Sequence, residues 1–195
     1  NRQFYSEKLE KEIVEELKEL NFADVKFGIA FSKMDHYTKQ GFDMIEFQIS
    51  TNPGEPVKAL TKVVSGGELS RIMLAIKTIL ADKDDTETLI FDEIDTGISG
   101  RTAQKVSEKM ARIGRNHQVL CITHLPQIAA MADEHFEILK SVEGMETRTR
   151  IHRLSEDESI LELARILGGA KITQAVEKNA KEMKELAAIQ KTSRL

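Results

Sequence analysis

The chain has 195 residues, 41% of them hydrophobic and 31% charged, with 28 basic against 32 acidic side chains and a net charge of −4. That length supports a real core in an ordinary globular domain, and the acidic balance gives no overall electrostatic reason to bind nucleic acid. No apolar run approaches the roughly 20 residues of a membrane span, no charged–apolar–small leader opens the sequence, and the start at Asn1 rather than Met is that expected of a fragment or processed product.

Charge is uneven along the chain. Residues 1–20 hold four basic and six acidic side chains, whereas residues 171–195 hold six basic and three acidic. The lone cysteine, Cys121, lies in the apolar run "QVLCITH"; it cannot form an internal disulfide and reads as a buried small hydrophobe. The five histidines show no metal-ligand spacing, so no zinc site is expected.

Residues 3–20 predict a helix with apolar positions at Tyr5, Leu9, Ile13, Leu17 and Leu20. The segment is too short to establish a coiled coil, and an ordinary surface helix and the stump of a longer coiled coil are both open. "DVKFGIAF" and "MIEFQIST" alternate as two antiparallel strands with one wet face, joined by the polar "SKMDHYTKQG". "NPGEP" at 52–56 is a turn-rich connection into "KVVSGGELSRIMLAIKTILA", where Leu69, Ile72, Met73, Ile76 and Ile79–Leu80 space out an amphipathic helix. "TLIFDE", a helix at about 99–114 and "QVLCITH" then form a strand–helix–strand unit, apolar on both strand faces and so suited to a buried parallel sheet. Another helix begins at Pro126, "HFEILKSV" and "TRTRIHRL" form a hairpin around "EGME", and helices at about 156–167 and 172–190 flank "GGAK".

The helix after Ser65 starts poorly, because Gly66 and Gly67 each cost about 1 kcal/mol against Ala. A capping box formed by Ser65 and Glu68 explains the two outer residues, but a cap contributes only about 1 kcal/mol. Two glycines cancel more than that. What they offer is a bare helix N-terminus that an anion such as phosphate can approach closely; a cap alone and an anion site both remain open. In "TLIFDE" the strand delivers Asp92 and Glu93 to its C-terminal end, where open α/β sheets bind ligands. The pair is open to two readings, an ordinary polar strand end or a functional site, and in the second Asp92 suits Mg²⁺ beside substrate phosphates. Glu93 points to the other strand face, where a carboxylate can orient or deprotonate water. His124 ends the next apolar run and can hydrogen-bond a terminal phosphate or be merely structural, and Asp95 lies in a Gly-containing loop placed to touch a second molecule. "TRTRIHR" sets Arg148 and Arg150 on one strand face, read as a solvated edge because phosphate contacts need a wider basic surface.

These elements in this order resemble the C-terminal half of an ABC-type ATPase. The resemblance makes Ser65-Gly66-Gly67-Glu68 the signature motif, Asp92 the metal-holding end of Walker B, Glu93 and His124 catalytic residues, and Asp95 the D-loop. The wording "SGGELSR", "FDEIDTGISGRTA" and "VLCITHLPQIAAMADEHF" is similar to the RecN family of bacterial DNA-repair ATPases, relatives of the SMC proteins, over most of residues 45–170. The phosphate loop G-x-x-x-x-G-K-[ST] is absent, and Gly-Lys occurs nowhere. In the family that loop lies on an N-terminal lobe beyond a long coiled-coil arm. The resemblance therefore implies an α/β fold: the C-terminal lobe of an ABC-type P-loop ATPase head at 21–195, mainly parallel sheet flanked by helices with an N-terminal antiparallel strand pair, and the end of the arm at 1–20.

It further implies ATP and Mg²⁺ as cofactors, the N-terminal ATPase lobe of the same protein and a second such head (a homodimer) as partners, and DNA through the intact protein. The expected location is cytoplasmic and nucleoid-associated, without a membrane. The signature glycines are expected to face the nucleotide of the opposite head, with Ser65 donating to its γ-phosphate, and the fragment alone is expected to be inactive. A non-catalytic interaction module, or the head of another SMC-like or transporter ATPase, is the alternative.

Overall fold

In the computed structural model, residues 2–63, 65–83, 85–143, 146–169 and 171–193 are described. They divide between two compact units, Asn1–Ile122 and Thr123–Leu195. The first unit opens with α1 (Arg2–Glu19), which buries Ile13 and Leu17 and is followed by buried Leu20. This spacing of four and three turns one stripe inward. Tyr5, expected on the same stripe, is 66% exposed, so only the second half of the helix has an apolar seat. That half is also tied by charge. The Glu10 carboxylate accepts the Ile29 N–H at 2.8 Å. Glu16 and Glu19 both receive the ammonium of buried Lys109, with Glu19 at 2.8 Å.

Strands β1 (Lys26–Thr38) and β2 (Gly41–Ser50) pair antiparallel, and the short β3 (Lys58–Ala59) joins the edge of β2. The polar stretch 32–41, expected as a connection, is strand as far as Thr38. Ladder bonds need no apolar side chains, and the cross-strand pair of Tyr37 and Phe42, with ring centroids 5.1 Å apart, holds the exposed end together. The turn after β2 is as the sequence predicts: Asn52 Nδ2 donates to Glu55 Oε1 at 3.0 Å, and Gly54 supplies φ +80°.

Helix α2 (Gly66–Leu80) is more enclosed than an amphipathic surface helix. It buries Arg71, Ile72, Leu74, Ala75, Ile76 and Thr78, while the predicted stripe members Leu69 and Met73 are 38% and 36% exposed. Strand β4 (Thr88–Phe91), helix α3 (Gly100–Ile113) and strand β5 (Gln118–Cys121) make the expected crossover, with β4 and β5 parallel from Thr88↔Gln118 to Phe91↔Cys121. The parallel part is these two strands; the antiparallel part is the larger. Within this unit only one face of the parallel pair is covered. Phe91 is buried, but Ile90 is 69%, Leu120 47% and Ile122 55% exposed.

The second unit contains α4 (Pro126–Met131), the hairpin β6 (Phe136–Glu143) and β7 (Glu146–Arg153), α5 (Glu156–Gly168) and α6 (Gln174–Ser193). Pro126 occupies the first turn of α4, where its missing N–H is no loss. Ser155 and Glu158 complete a reciprocal capping box on α5, and Gly169 ends that helix at φ +63°. Ala170 of "GGAK" and the hairpin tip Gly144–Met145 lie outside the described residues. Arg148 and Arg150 share a face, opposite Ser141 and Leu139, and both are exposed. The core is Leu163 and Ala164 of α5, Ala129 and Ala130 of α4, and Ala180 of α6, flanked by Ile160, Leu167, Val176 and Met183. The alanines let the helices approach closely around one large side chain. Leu163→Ala should therefore destabilise by about 2–5 kcal/mol in urea denaturation; a loss well below 1 kcal/mol would show that the alanines do not form a tight seat around it.

Candidate functional site

The start of α2 and the loop after β4 come together in the first unit. Ser65 is the N-cap in extended conformation, and its Oγ accepts the Glu68 N–H at 3.4 Å. Among the described residues this cap runs one way, without the return bond that Glu158 makes to Ser155. Glu68 instead acts on Arg71, whose burial lowers its pKa and whose charge Glu68 partly sustains. Ser65 and Gly66 are exposed, and Gly67 is buried.

Asp92 and Glu93 leave the C-terminal end of β4, both exposed. Asp92 Oδ1 accepts the Glu93 N–H at 2.9 Å. Glu93 has φ +56°, a left-handed backbone that a non-glycine residue holds only where its surroundings impose it. The surroundings here are the two glycines. A Cβ on Gly66 would lie 2.3 Å from Glu93 Oε2, and one on Gly67 would lie 2.9 Å from the Glu93 carbonyl oxygen and 3.0 Å from Thr96 Cβ. The glycines thus have a role within their own chain that the sequence did not reveal: they admit the Glu93 loop onto the helix start.

Two further side chains hold the loop, and neither was singled out from the sequence. Ser70 Oγ donates to the Asp92 carbonyl at 2.8 Å. Arg71, 7% exposed, donates through one guanidinium nitrogen to the carbonyls of Ile94 (3.2 Å) and Thr96 (2.8 Å) and lies 5.5 Å from the Phe22 ring centroid. Its Nε–H is buried without a hydrogen-bond partner, an omission that costs on the order of 1–3 kcal/mol. The available signal was an arginine beside Ile72, on the face that also carries Leu74 and Ala75.

Asp95, expected to face a second molecule, is 4% exposed. Buried Ile94 and Ile98 anchor the loop on either side of it, and Gly97 at φ +75° lets the chain turn there. Cys121 is half-buried rather than fully enclosed, and burial, with Asp95 and Asp92 nearby, pushes its thiol up to about 12. That partial burial is in keeping with a packing role. His124 is the second residue of the second unit, just beyond β5, exposed, beside Thr123, whose Oγ1 accepts the Leu125 N–H at 3.0 Å. The signature residues and the Asp92–Asp95 loop are therefore assembled in one unit, and His124 belongs to the other.

Helix propensity alone would have alanine stabilise both glycine positions by about 1 kcal/mol. The fit to the loop reverses the sign at one of them. Gly67→Ala meets backbone and should destabilise by about 1–2 kcal/mol, whereas Gly66→Ala meets the end of a side chain that can swing away and should be neutral or stabilising. Urea denaturation of both variants decides this; two gains would remove the close approach.

No family model matches the chain. Among curated proteins, the DNA repair protein RecN of Bacillus subtilis is 43% identical over 98% of this chain and 36% of its own length. That of Halalkalibacterium halodurans is 45% identical over 92% and 32%, and that of Vibrio cholerae 43% over 92% and 32%. The chain spans about a third of the length of these relatives. Among solved structures, the Smc head domain with a coiled coil and joint from Pyrococcus yayanosii superposes with a TM-score of 0.56 at 20% identity, covering 83% of this chain and 29% of that one. The Smc head domain with an extended coiled coil from Pyrococcus furiosus, solved bound to the C-terminal domain of ScpA, gives 0.52 at 20% identity over 84% and 39%. At one-fifth identity these two likenesses establish the fold. An α/β chain with the fold of an Smc head, 43–45% identical to these RecN proteins over 92–98% of its length, matches the C-terminal lobe of a RecN-like protein.

Proposed function

We propose that the chain is the C-terminal lobe of an ATP-hydrolysing head in a RecN-like protein acting in DNA repair, with residues 1–20 as the end of the arm leading into it and 21–195 as the lobe. The observation that carries this reading is the clustering of exposed Asp92 and Glu93, at the C-terminal end of parallel strand β4, with the exposed cap Ser65–Gly66. Such a strand end is where α/β sheets bring carboxylates to a ligand.

The residues fit Mg²⁺ and ATP in a divided way. Asp92 uses one oxygen on the Glu93 N–H, which leaves the other for a hydrated Mg²⁺, an ion that accepts one or two carboxylates beside phosphate oxygens. When bound, Mg²⁺ supplies neutralisation of phosphate charge. Glu93 would hold and deprotonate the attacking water, and His124 would hydrogen-bond the terminal phosphate. Ser65, Gly66, Gly67 and Glu68 form the helix start that meets the nucleotide of a second head, with the Ser65 hydroxyl as donor, and the loop that carries buried Asp95, read as the D-loop, lies against that start. The chain has no phosphate loop, so the main cradle comes from the N-terminal lobe. The open face of Ile90, Leu120 and Ile122 is suited to covering by that lobe, and this chain alone should not turn over ATP.

DNA enters through the relatives, which are named DNA repair proteins, and reaches this chain as part of the intact protein. Among the described residues no helix is long and apolar enough to cross a membrane; a cytoplasmic, nucleoid-associated protein is the reading we adopt.

The test is ATP binding and hydrolysis by this chain, alone and mixed with the N-terminal lobe of its parent. Silence alone and turnover on mixing are expected; silence of both folded pieces together would favour a non-catalytic interaction module. In the intact protein, Glu93→Gln should keep ATP binding and lower turnover by about 100-fold or more, within the range for losing a general base, and wild-type turnover would remove Glu93 from catalysis. Ser65→Arg should abolish ATP-induced dimerisation seen by light scattering while ATP still binds a single head. Dimers of undiminished abundance would refute action across the interface.

A further inference from the structure

We propose that Arg71, assisted by Ser70, is the positioning residue for Glu93: side chains of α2 grip the 92–96 loop by its carbonyls and so fix where the Glu93 carboxylate points. The proposal rests on the reading of Glu93 as the group that activates water, and the grip itself is a matter of geometry.

Every carbonyl from Asp92 to Thr96 has a donor. Ser70 Oγ serves Asp92, and Arg71 serves both Ile94 and Thr96. The Glu93 carbonyl accepts the Thr96 N–H at 3.0 Å, and that of Asp95 accepts the Ile98 N–H at 3.4 Å. An irregular loop with buried members holds one conformation only when its backbone groups are satisfied in this way. Three of the five acceptors depend on two adjacent side chains of one helix. Those side chains lie within one turn or so of Gly66 and Gly67, the positions where the helix leaves room for Glu93. Glue of this kind matters most where the backbone would relax without it, and Glu93 is that residue, at φ +56°.

The chemistry of the arginine suits the task. Its planar guanidinium presents donors at fixed angles, and one nitrogen spans two carbonyls that a flexible ammonium would not hold in the same relation. A residue kept for packing alone would not leave a buried Nε–H unmet, since an apolar side chain of similar volume fills such a site without that omission. Arg71 therefore secures loop position more than stability. It also makes α2 and the Glu93 loop one mechanical piece, so that whatever engages the start of α2 bears on the place of Glu93.

Arg71→Lys and Ser70→Ala in the intact protein test this. Amide hydrogen exchange over 92–98 should quicken by about tenfold in Arg71→Lys, with α2 and α3 exchanging as in the parent. Turnover should fall about tenfold, while the KM for ATP and the stoichiometry of ATP binding stay within about twofold. Ser70→Ala, at a half-exposed site that tolerates a small side chain, should give the same pattern with a smaller loss. Unchanged exchange over 92–98 in both variants would overturn the proposal. So would faster exchange spread through α2 and α3, which marks a merely structural role, or a loosened loop with full turnover. Wild-type turnover in Glu93→Gln would instead overturn the functional reading, and the exchange result would still decide whether Arg71 grips the loop.

Discussion

Arg71 carries a charge in the interior of the first unit, and the start of α2 is organised around what that charge needs. A buried guanidinium must find acceptors, and the backbone of an irregular loop must find donors. Each solves the problem of the other. The carbonyls of Ile94 and Thr96 take the guanidinium, Ser70 takes Asp92, and the loop is drawn onto the first turns of the helix. Once it is there, a Cβ at position 67 would strike the Glu93 carbonyl and Thr96. A helix start that is weak by propensity is therefore the one compatible with this contact. The left-handed backbone of Glu93 and the burial of Asp95 both go with the place of the loop.

The second constraint is coverage. A parallel pair built from runs such as "TLIF" and "QVLC" is apolar on both sides, yet within its own unit one side stays open at Ile90, Leu120 and Ile122. The second unit repeats the pattern. The face of its hairpin that bears Phe136, Ile138, Val142 and Ile151 is 50–74% exposed, while its helices close over a core of alanines around Leu163. Each unit thus has a sound core and leaves an apolar sheet face open.

Much of the architecture was legible from local rules. The turn at Asn52–Gly54, the elements β4, α3 and β5 of the crossover and the proline start of α4 each carry a local signal. The candidate site was legible through motif order, and Ser65, Asp92 and Glu93 stand where that order implies, at a helix start and a strand end. Three things were not legible. The polar arm of β1 carried no alternation because both its faces are wet. The burial of Asp95 depends on where the chain turns at Gly97. Arg71, a charged residue of an amphipathic helix, belongs to its buried face.

The sequence by itself determined the elements and their chemistry: which stretches are helix or strand, where the carboxylates fall, and that the phosphate loop is absent. Capping, turn and periodicity signals act over a few residues, so they survive in a linear reading. Tertiary structure alone decided that Gly66 and Gly67 make room for Glu93, that Arg71 and Ser70 hold the loop, and that one face of the parallel pair stays open. Each of these joins residues more than twenty positions apart or depends on what packs against a face. Close approach and burial are properties of the packed chain, and no local pattern encodes them.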